Sequence, residues 1–428
     1  MPDQGDNPCR QIGETNLSMK KFKYLIIGGG VSGTTAAETV RQNDKNGSIA
    51  IVSEEPYPAY SRVMLSKHDF YLPEGENKIW LKTPDWYIKE NIELIAGKIA
   101  VNLDHNKKII TLNGGEEIEY DKLLIATGSC ARKWIIPGSD KKNIFALRNL
   151  DDAKAIRDKM QTAKKAVAIG GGFVSFEMCH ILRQFNIDTT LVLRESYYWE
   201  PVLSEDEAAV VEEVLEKNGV KILKNSEAGE VIGGESVEGV VLKNETKIDC
   251  DMIILGIGVV CSLDWLKSPG LDVNKGILTN EYLETNIPDV WASGDAAEFN
   301  DLILEERVQL GNWLNAQQQG RIAGLNMAGK KEPFRLVSSY STGGFGISIC
   351  FVGDVGPGTD RIMISRGTKE AKSWARLIIK DGEIIGATMI NRTPELSLIS
   401  KLISTDFKIS GHEKNLTDPD FDLKKLII

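Results

Sequence analysis

The chain is 428 residues long, and paired cysteines are the first thing it lacks. Its six cysteines, Cys9, Cys130, Cys179, Cys250, Cys261 and Cys350, are scattered, with no Cys-x-x-Cys and no metal-ligand spacing. That excludes a disulfide framework and a zinc-type cluster, so no metal site is expected, and it is the usage of a reducing compartment. Long apolar runs are missing too. The most apolar, Met252 to Val260, is far short of the roughly 20 residues a membrane-spanning helix needs, and it reads as a buried strand. Residues 1–18 are polar, with no apolar core of a signal peptide; they read as a tail, and the cytoplasm is the expected location. An excess of positive charge is absent as well. A net charge of −10 and a pI near 5.2 argue against nucleic acid or an anionic membrane surface as the main partner. Histidine is scarce, at four residues. His68 has context for a proton relay only because it adjoins Lys67; His105, His180 and His412 have none.

What is present is an ordinary globular composition, long enough for two or three domains. Over the first two-thirds, apolar strands alternate with helical patterns, which points to parallel α/β sheet. Two stretches stand out: YLIIGGGVSGTTAAE from Tyr24 and AVAIGGGFVSFE from Ala166. Each is a buried strand, a glycine turn and a helix. In the first, Gly28, Gly30 and Gly33 stand at G-x-G-x-x-G spacing, which suits a tight turn, backbone approach to a pyrophosphate, and close helix–strand packing. A phosphate then sits on the free N–H groups of the helix. Glu54, 26 residues after Gly28, closes the next strand, where a carboxylate can bind ribose hydroxyls. The second turn has Gly170 and Gly172, with Ser175 in place of the third glycine at some cost in closeness. Glu195 ends its next strand, and Arg194 beside it leaves a 2′-phosphate open. After about Lys330 the texture turns hairpin-like, with Asp381-Gly382 suited to a tight β-turn.

Together with Ala126-Thr127-Gly128 and TNIPDVWASGD (Thr285 to Asp295, with Gly294), these motifs resemble the pyridine nucleotide-disulfide oxidoreductase superfamily, over about residues 22 to 330. The resemblance implies FAD in the first cradle and NADH, with NADPH as the lesser option, in the second. It implies two doubly wound dinucleotide-binding domains plus a C-terminal α+β domain. The expected division is a tail at 1–18, an FAD domain at 19–145 and 276–330, an NAD(P)H domain at 146–275, and a third domain at 331–428. It also implies that Glu54 holds the adenosine ribose, that Asp295 bonds the ribitol chain, and that Arg62, Trp313 and Ala316 lie near the FAD. A plainer reading of Asp295 is a helix N-cap, and of Arg62 an exposed loop residue.

The superfamily's disulfide members carry a Cys-x-x-x-x-Cys pair after the first βαβ unit. Here that region, SEEPYPAYSRVMLSKHDFYL, has no cysteine, and Lys67 stands where related oxidases carry one. The Leu-Ser-Lys ending looks like ferredoxin reductases, rubredoxin reductases and apoptosis-inducing factor, in which the matching lysine lies near flavin N5. A cation there stabilises an anionic reduced flavin, and Glu177 is its expected partner. Plainer readings are a solvated lysine and a helix-face charge; Cys130 and Cys261 read by default as small hydrophobes. Two departures loosen the match to ferredoxin reductases. Phe334 to Gly353 lacks their aromatic segment, and Cys261 replaces a proline. The C-terminal KDGEIIGATMI looks closer to the flavoprotein portion of nitrite reductases. The expectation is an FAD-dependent NADH oxidoreductase without a redox disulfide, passing electrons to rubredoxin or ferredoxin. The alternatives are reduction of oxygen, a quinone or another small acceptor, and an apoptosis-inducing-factor-like protein whose assembly NADH controls. The third domain is a candidate homodimer face.

Overall fold

The computed structural model describes residues 19–266 and 270–427; the expected tail at 1–18 lies outside the described residues. Strand β1 (Lys20–Ile27) ends in the first glycine turn and feeds helix α1 (Val31–Asn43). On α1, Ala36, Ala37 and Val40 recur at helical spacing and pack on Ile26, Ile51 and Leu124 of the sheet beneath. β2 (Ile49–Ser53) and β3 (Ile92–Ala96) extend the sheet in parallel on one side of β1. The antiparallel pair β4 (Ala100–Asp104) and β5 (Ile109–Leu112) leads into β6 (Glu117–Ile125), which lies parallel to β1 on its other side. The order is β3-β2-β1-β6-β5-β4.

The pattern then repeats. β7 (Ile144–Ala146), β8 (Lys165–Ile169), β9 (Asp188–Val192), β10 (Val220–Leu223) and β11 (Met252–Leu255) form a parallel sheet of order β10-β9-β8-β11-β7. Helix α2 (Phe173–Gln184) leaves β8 as α1 leaves β1. The run Met252 to Val260 is not one buried strand. β11 stops at Leu255, and the chain turns at Gly258, whose φ is 91°. The exposed strand Val259–Val260 follows and pairs antiparallel with Cys130–Ala131, where the chain crosses between the two sheets.

β12 (Val290–Ala292) returns to the first sheet, parallel to β6. It is shorter than the run Asp289 to Ala297 suggests, because Gly294–Ala296 closes into a single 3₁₀ turn. Helix α3 (Trp313–Met327) then lies along α1. A Cβ on Gly320 would sit 2.2 Å from Ser32 O, and one on Gly324 would sit 2.7 Å from Ala36 O. Only glycine lets these two helix backbones touch, and their contact brings Trp313 and Ala316 beside the first glycine turn.

The remaining chain is an antiparallel sheet of β13 (Ser339–Gly344), β14 (Ile347–Gly353), β15 (Ile362–Thr368), β16 (Ser373–Lys380) and β17 (Glu383–Ile390), in the order β13-β14-β17-β16-β15. Helix α4 (Leu396–Ser404) covers it, burying Ile399, Leu402 and Ile403. Asp381 and Gly382, with φ of 50° and 77°, close the β16–β17 hairpin as their sequence implies. The fold class is therefore α/β, two doubly wound domains with a C-terminal α+β domain.

A fully buried carboxylate ties this last domain to the second sheet. Glu207 Oε2 accepts from Ser204 N–H at 2.8 Å and lies 3.1 Å from Arg376 Nε, while Oε1 accepts from the Thr388 hydroxyl. Removing one partner of such a pair strands the other. Glu207→Ala is expected to cost about 3–5 kcal/mol, with Glu207→Gln recovering part of it through the hydrogen bonds it keeps. Thermal melts of both variants check this; unchanged midpoints would contradict it.

Candidate functional site

The first cradle is built from backbone. Gly28 has φ of 121°, and a Cβ on it would sit 2.1 Å from Ala126 O. Its N–H donates to Val52 O at 2.8 Å, which turns the chain around the ends of β1, β2 and β6. α1 then starts with no side-chain cap, leaving its first N–H groups and the positive end of its dipole available to an anion. Outside Gly30 the space is open, with no atom within 4 Å of a built Cβ, whereas a Cβ on Gly33 would meet Gly28 O at 2.0 Å.

Two adjoining cavities of about 300 and 720 Å³ begin at this turn and share Gly28, Glu54, Arg62, Thr127, Gly128 and Arg148 as walls. Both sizes suit a bound cofactor. Gly30, Ala126, Gly294, Asp295, Trp313 and Ala316 line the smaller one, so eleven of the sequence-derived positions share one wall. Gly33 does not; it packs inward.

Charged groups on that wall are held in a chain. Glu54 is exposed at the mouth, and Glu55 next to it accepts from Arg62 Nη2 and from the Tyr60 hydroxyl, each at 2.5 Å. Arg62 Nη1 donates to Arg148 O at 2.7 Å, so Arg62 is not a free loop residue. Arg148 in turn donates from Nε to Ser129 O at 2.7 Å and from Nη2 to Asp295 Oδ2 at 3.1 Å. Burial pulls the Arg148 pKa below its ordinary value, and the Asp295 carboxylate pulls it back. Asp295 Oδ2 also accepts from Ser129 Oγ at 2.6 Å, and the carboxylate makes no N-cap bond to its own 3₁₀ turn. Sequence reasoning missed Glu55, Tyr60, Ser129 and Arg148. No local signal marks them, because Arg148 meets Asp295 across 147 residues.

The second cradle repeats the device with different residues. Gly170 has φ of 101°, and its N–H donates to Val192 O at 3.0 Å. Gly256 holds the place that Ala126 holds in the first cradle, 2.5 Å from a Cβ built on Gly170. It also makes room for Ser175, which is fully buried: a Cβ on Gly256 would lie 2.0 Å from Ser175 Oγ. Glycine at 256 thus leaves room across the gap for the two atoms that serine adds. α2 also starts without a side-chain cap, at Gly172, whose carbonyl accepts from the Tyr198 hydroxyl at 2.8 Å. Glu195 is half-buried and binds the exposed Arg194 at 2.8 Å, which leaves the arginine charge partly spent.

Between the cradles, Lys67 Nζ lies 2.5 Å from Glu177 Oε1, and Glu177 is only 6% exposed. The same oxygen accepts from Thr342 Oγ1 at 2.5 Å, and Oε2 accepts from Ser66 Oγ. Neither a solvated lysine nor a helix-face charge describes this geometry. Ser66 and Thr342 were not singled out by sequence. Thr342 is on β13, so all three domains contribute to one polar cluster. His180, one turn along α2, accepts from Phe345 N–H at 3.2 Å, and burial lowers its pKa; His68 packs on the Phe185 ring.

A family model described as pyridine nucleotide-disulphide oxidoreductase matches residues 22–320, and one described as reductase C-terminal matches 344–427. The NADH-rubredoxin oxidoreductase of Clostridium acetobutylicum is 32% identical over 90% of this chain and 94% of its own. The nitrite reductase [NAD(P)H] of Bacillus subtilis is 26% identical over 92% of this chain, which spans only 49% of that longer protein. Among solved structures, the ferredoxin reductase for the CYP199A2 system from Rhodopseudomonas palustris superposes with a TM-score of 0.88 at 25% identity, over 95% of this chain and all of that one.

Gly256→Ala is expected to push Ser175 against the second turn, costing about 1–3 kcal/mol as overpacking does, and to weaken dinucleotide binding there. The double variant with Ser175→Gly should restore both. Melting and titration of the two variants check this; an unaffected single variant would show that the contact is not tight.

Proposed function

The chain belongs to the pyridine nucleotide-disulphide oxidoreductase family, with FAD and NADH as cofactors, and from that premise we propose that it passes electrons from NADH through FAD to a small redox protein of the rubredoxin or ferredoxin kind, without a redox disulfide. In this reading residues 19–145 and 276–330 bind FAD, 146–275 bind NADH, and 331–428 complete the site. The observation that carries it is the Lys67–Glu177–Thr342 cluster at the junction of the domains, with a lysine and no cysteine beside it. Among the described residues the free cysteines are Cys130, Cys179, Cys250, Cys261 and Cys350, and none belongs to that cluster.

FAD supplies a hydride acceptor that returns electrons singly, which is what links a two-electron donor to a one-electron carrier. The residues do the rest. The uncapped starts of α1 and α2 take the pyrophosphates, Glu54 and Glu195 take ribose hydroxyls, and Asp295, steadied by Arg148 and Ser129, accepts from ribitol hydroxyls. Glu177, itself held by Ser66 and Thr342, fixes the Lys67 ammonium in a part-buried place, where a fixed cation favours an anion far more than it would in water. The Arg194–Glu195 pair puts a carboxylate where a 2′-phosphate would sit, which favours NADH over NADPH. The rubredoxin and ferredoxin named for two relatives support a carrier protein as acceptor.

Lys67→Ala is expected to slow NADH-driven reduction of rubredoxin or ferredoxin by about 100-fold, on the scale of removing one electrostatic donor, with FAD still bound. Lys67→Arg should retain part of the rate. Stopped-flow traces with each carrier, and with a quinone for comparison, test this. Turnover with the quinone and none with any carrier would overturn the choice of partner.

A further inference from the structure

Asp295 is held by more than its carboxylate. The peptide groups on both sides of it end on glutamine side chains, neither of which lines the two cofactor cavities. Gln319 of α3 is fully buried and accepts from the Gly294 N–H through Oε1 at 2.8 Å. On the other side Gln309, in the segment leading into α3, donates from Nε2 to Asp295 O at 2.8 Å. The same nitrogen reaches Lys275 O at 3.3 Å. Each contact fixes the amide's orientation. A backbone N–H can only donate, so Gln319 must present oxygen to Gly294. A carbonyl can only accept, so Gln309 must present nitrogen to Asp295 and Lys275.

The turn between the two contacts is closely seated. Gly294 is left-handed, with φ of 73°, and a Cβ on it would lie 3.3 Å from Ser32 Cβ. Ser293 N–H donates to Ile125 O at 3.0 Å, and its hydroxyl shares a 2.7 Å bond with the Ser32 hydroxyl on α1. Gln319 also carries a cost, because its Nε2 is buried without a partner among the described residues. A half-satisfied buried amide is destabilising against an apolar side chain of similar size. Packing alone therefore does not account for glutamine at 319.

We propose that Gln309 and Gln319 are positioning residues, two amide clamps that set the Asp295 backbone so that its carboxylate meets the ribitol hydroxyls of FAD. This rests on Asp295 taking those hydroxyls, the role proposed for it above. Ser129 and Arg148 aim the carboxylate; the glutamines fix the peptide units from which it projects.

Exchanging glutamine for glutamate keeps the shape and separates this role from packing. At 319 a glutamate, kept protonated by complete burial, still offers Gly294 an acceptor oxygen. At 309 a carboxylate has no donor and turns oxygen toward Asp295 O and Lys275 O. The holoenzyme of each variant is stripped of FAD and titrated back, with flavin fluorescence reading the dissociation constant. Gln319→Glu is expected to bind FAD within about threefold of the unaltered protein, since the acceptor is kept. Gln309→Glu and Gln319→Leu are expected to bind it about tenfold more weakly, the scale of one lost hydrogen bond at a buried group. Their melting midpoints should fall further with FAD than without it, because the loss is in ligand binding. Asp295→Ala checks the premise separately. Unchanged FAD affinity there would overturn the ribitol reading and the clamp with it. Weaker binding there, with Gln309→Glu and Gln319→Leu matching the unaltered protein, would overturn the clamp alone. Equal losses in the two glutamate variants, or midpoints that fall equally with and without FAD, would do the same.

Discussion

One buried carboxylate sets the terms for the rest of the molecule. A charge taken out of water is costly unless it is paired and hydrogen-bonded, and Glu177 has only 7% of its side chain exposed. It is satisfied by Lys67 and Ser66 from the segment after the first βαβ unit and by Thr342 from the third domain. The three domains therefore have to arrive in register at one point. Glu207 repeats the arrangement at a second point on the same domain, with Arg376 and Thr388 as partners. The third domain is held to the second through two buried carboxylates, and what it adds to the centre is a single threonine hydroxyl.

Around that centre the same device appears twice. Each sheet sends a central strand, β1 in one and β8 in the other, into a glycine turn and an uncapped helix, and in each the turn is pressed against the strand on its other side. The two solve the packing differently, with Gly33 and Ala126 in one and Ser175 and Gly256 in the other. What must be kept is the small gap between helix and strand, and either partner can supply it. Two such cradles in one chain are what a donor–acceptor pair of dinucleotides requires. This arrangement agrees with the family the chain belongs to.

Much of this is legible in the sequence because a glycine turn is a local object. Gly28, Gly30 and Gly170, and the acids that end the next strands, lie within one βαβ unit, and their spacing alone implies the geometry. The pairing of Lys67 with Glu177 came from resemblance, and its depth of burial could not. Arg148 and Ser129 were invisible because their partner, Asp295, is 147 and 166 residues away. Thr342 lies 165 residues from Glu177 in an unremarkable strand. Gly256 looked like part of an apolar run, since nothing local says that a serine across the gap needs the space of a missing methyl. The run from Met252 to Val260 misled for a related reason: hydrophobicity reports burial, and Val259 and Val260 are exposed at a domain crossing.

The central claim is that the two cradles work as one unit, and a single visible spectrum of the purified flavoprotein tests it most directly. Recorded anaerobically before and after a slight excess of NADH, the flavin bands near ~450 nm should bleach within the mixing time if the two cradles bring donor and acceptor together as proposed. Bands that persist with NADH and with NADPH would mean that the second cradle does not deliver a nucleotide to the first, and the account would fail.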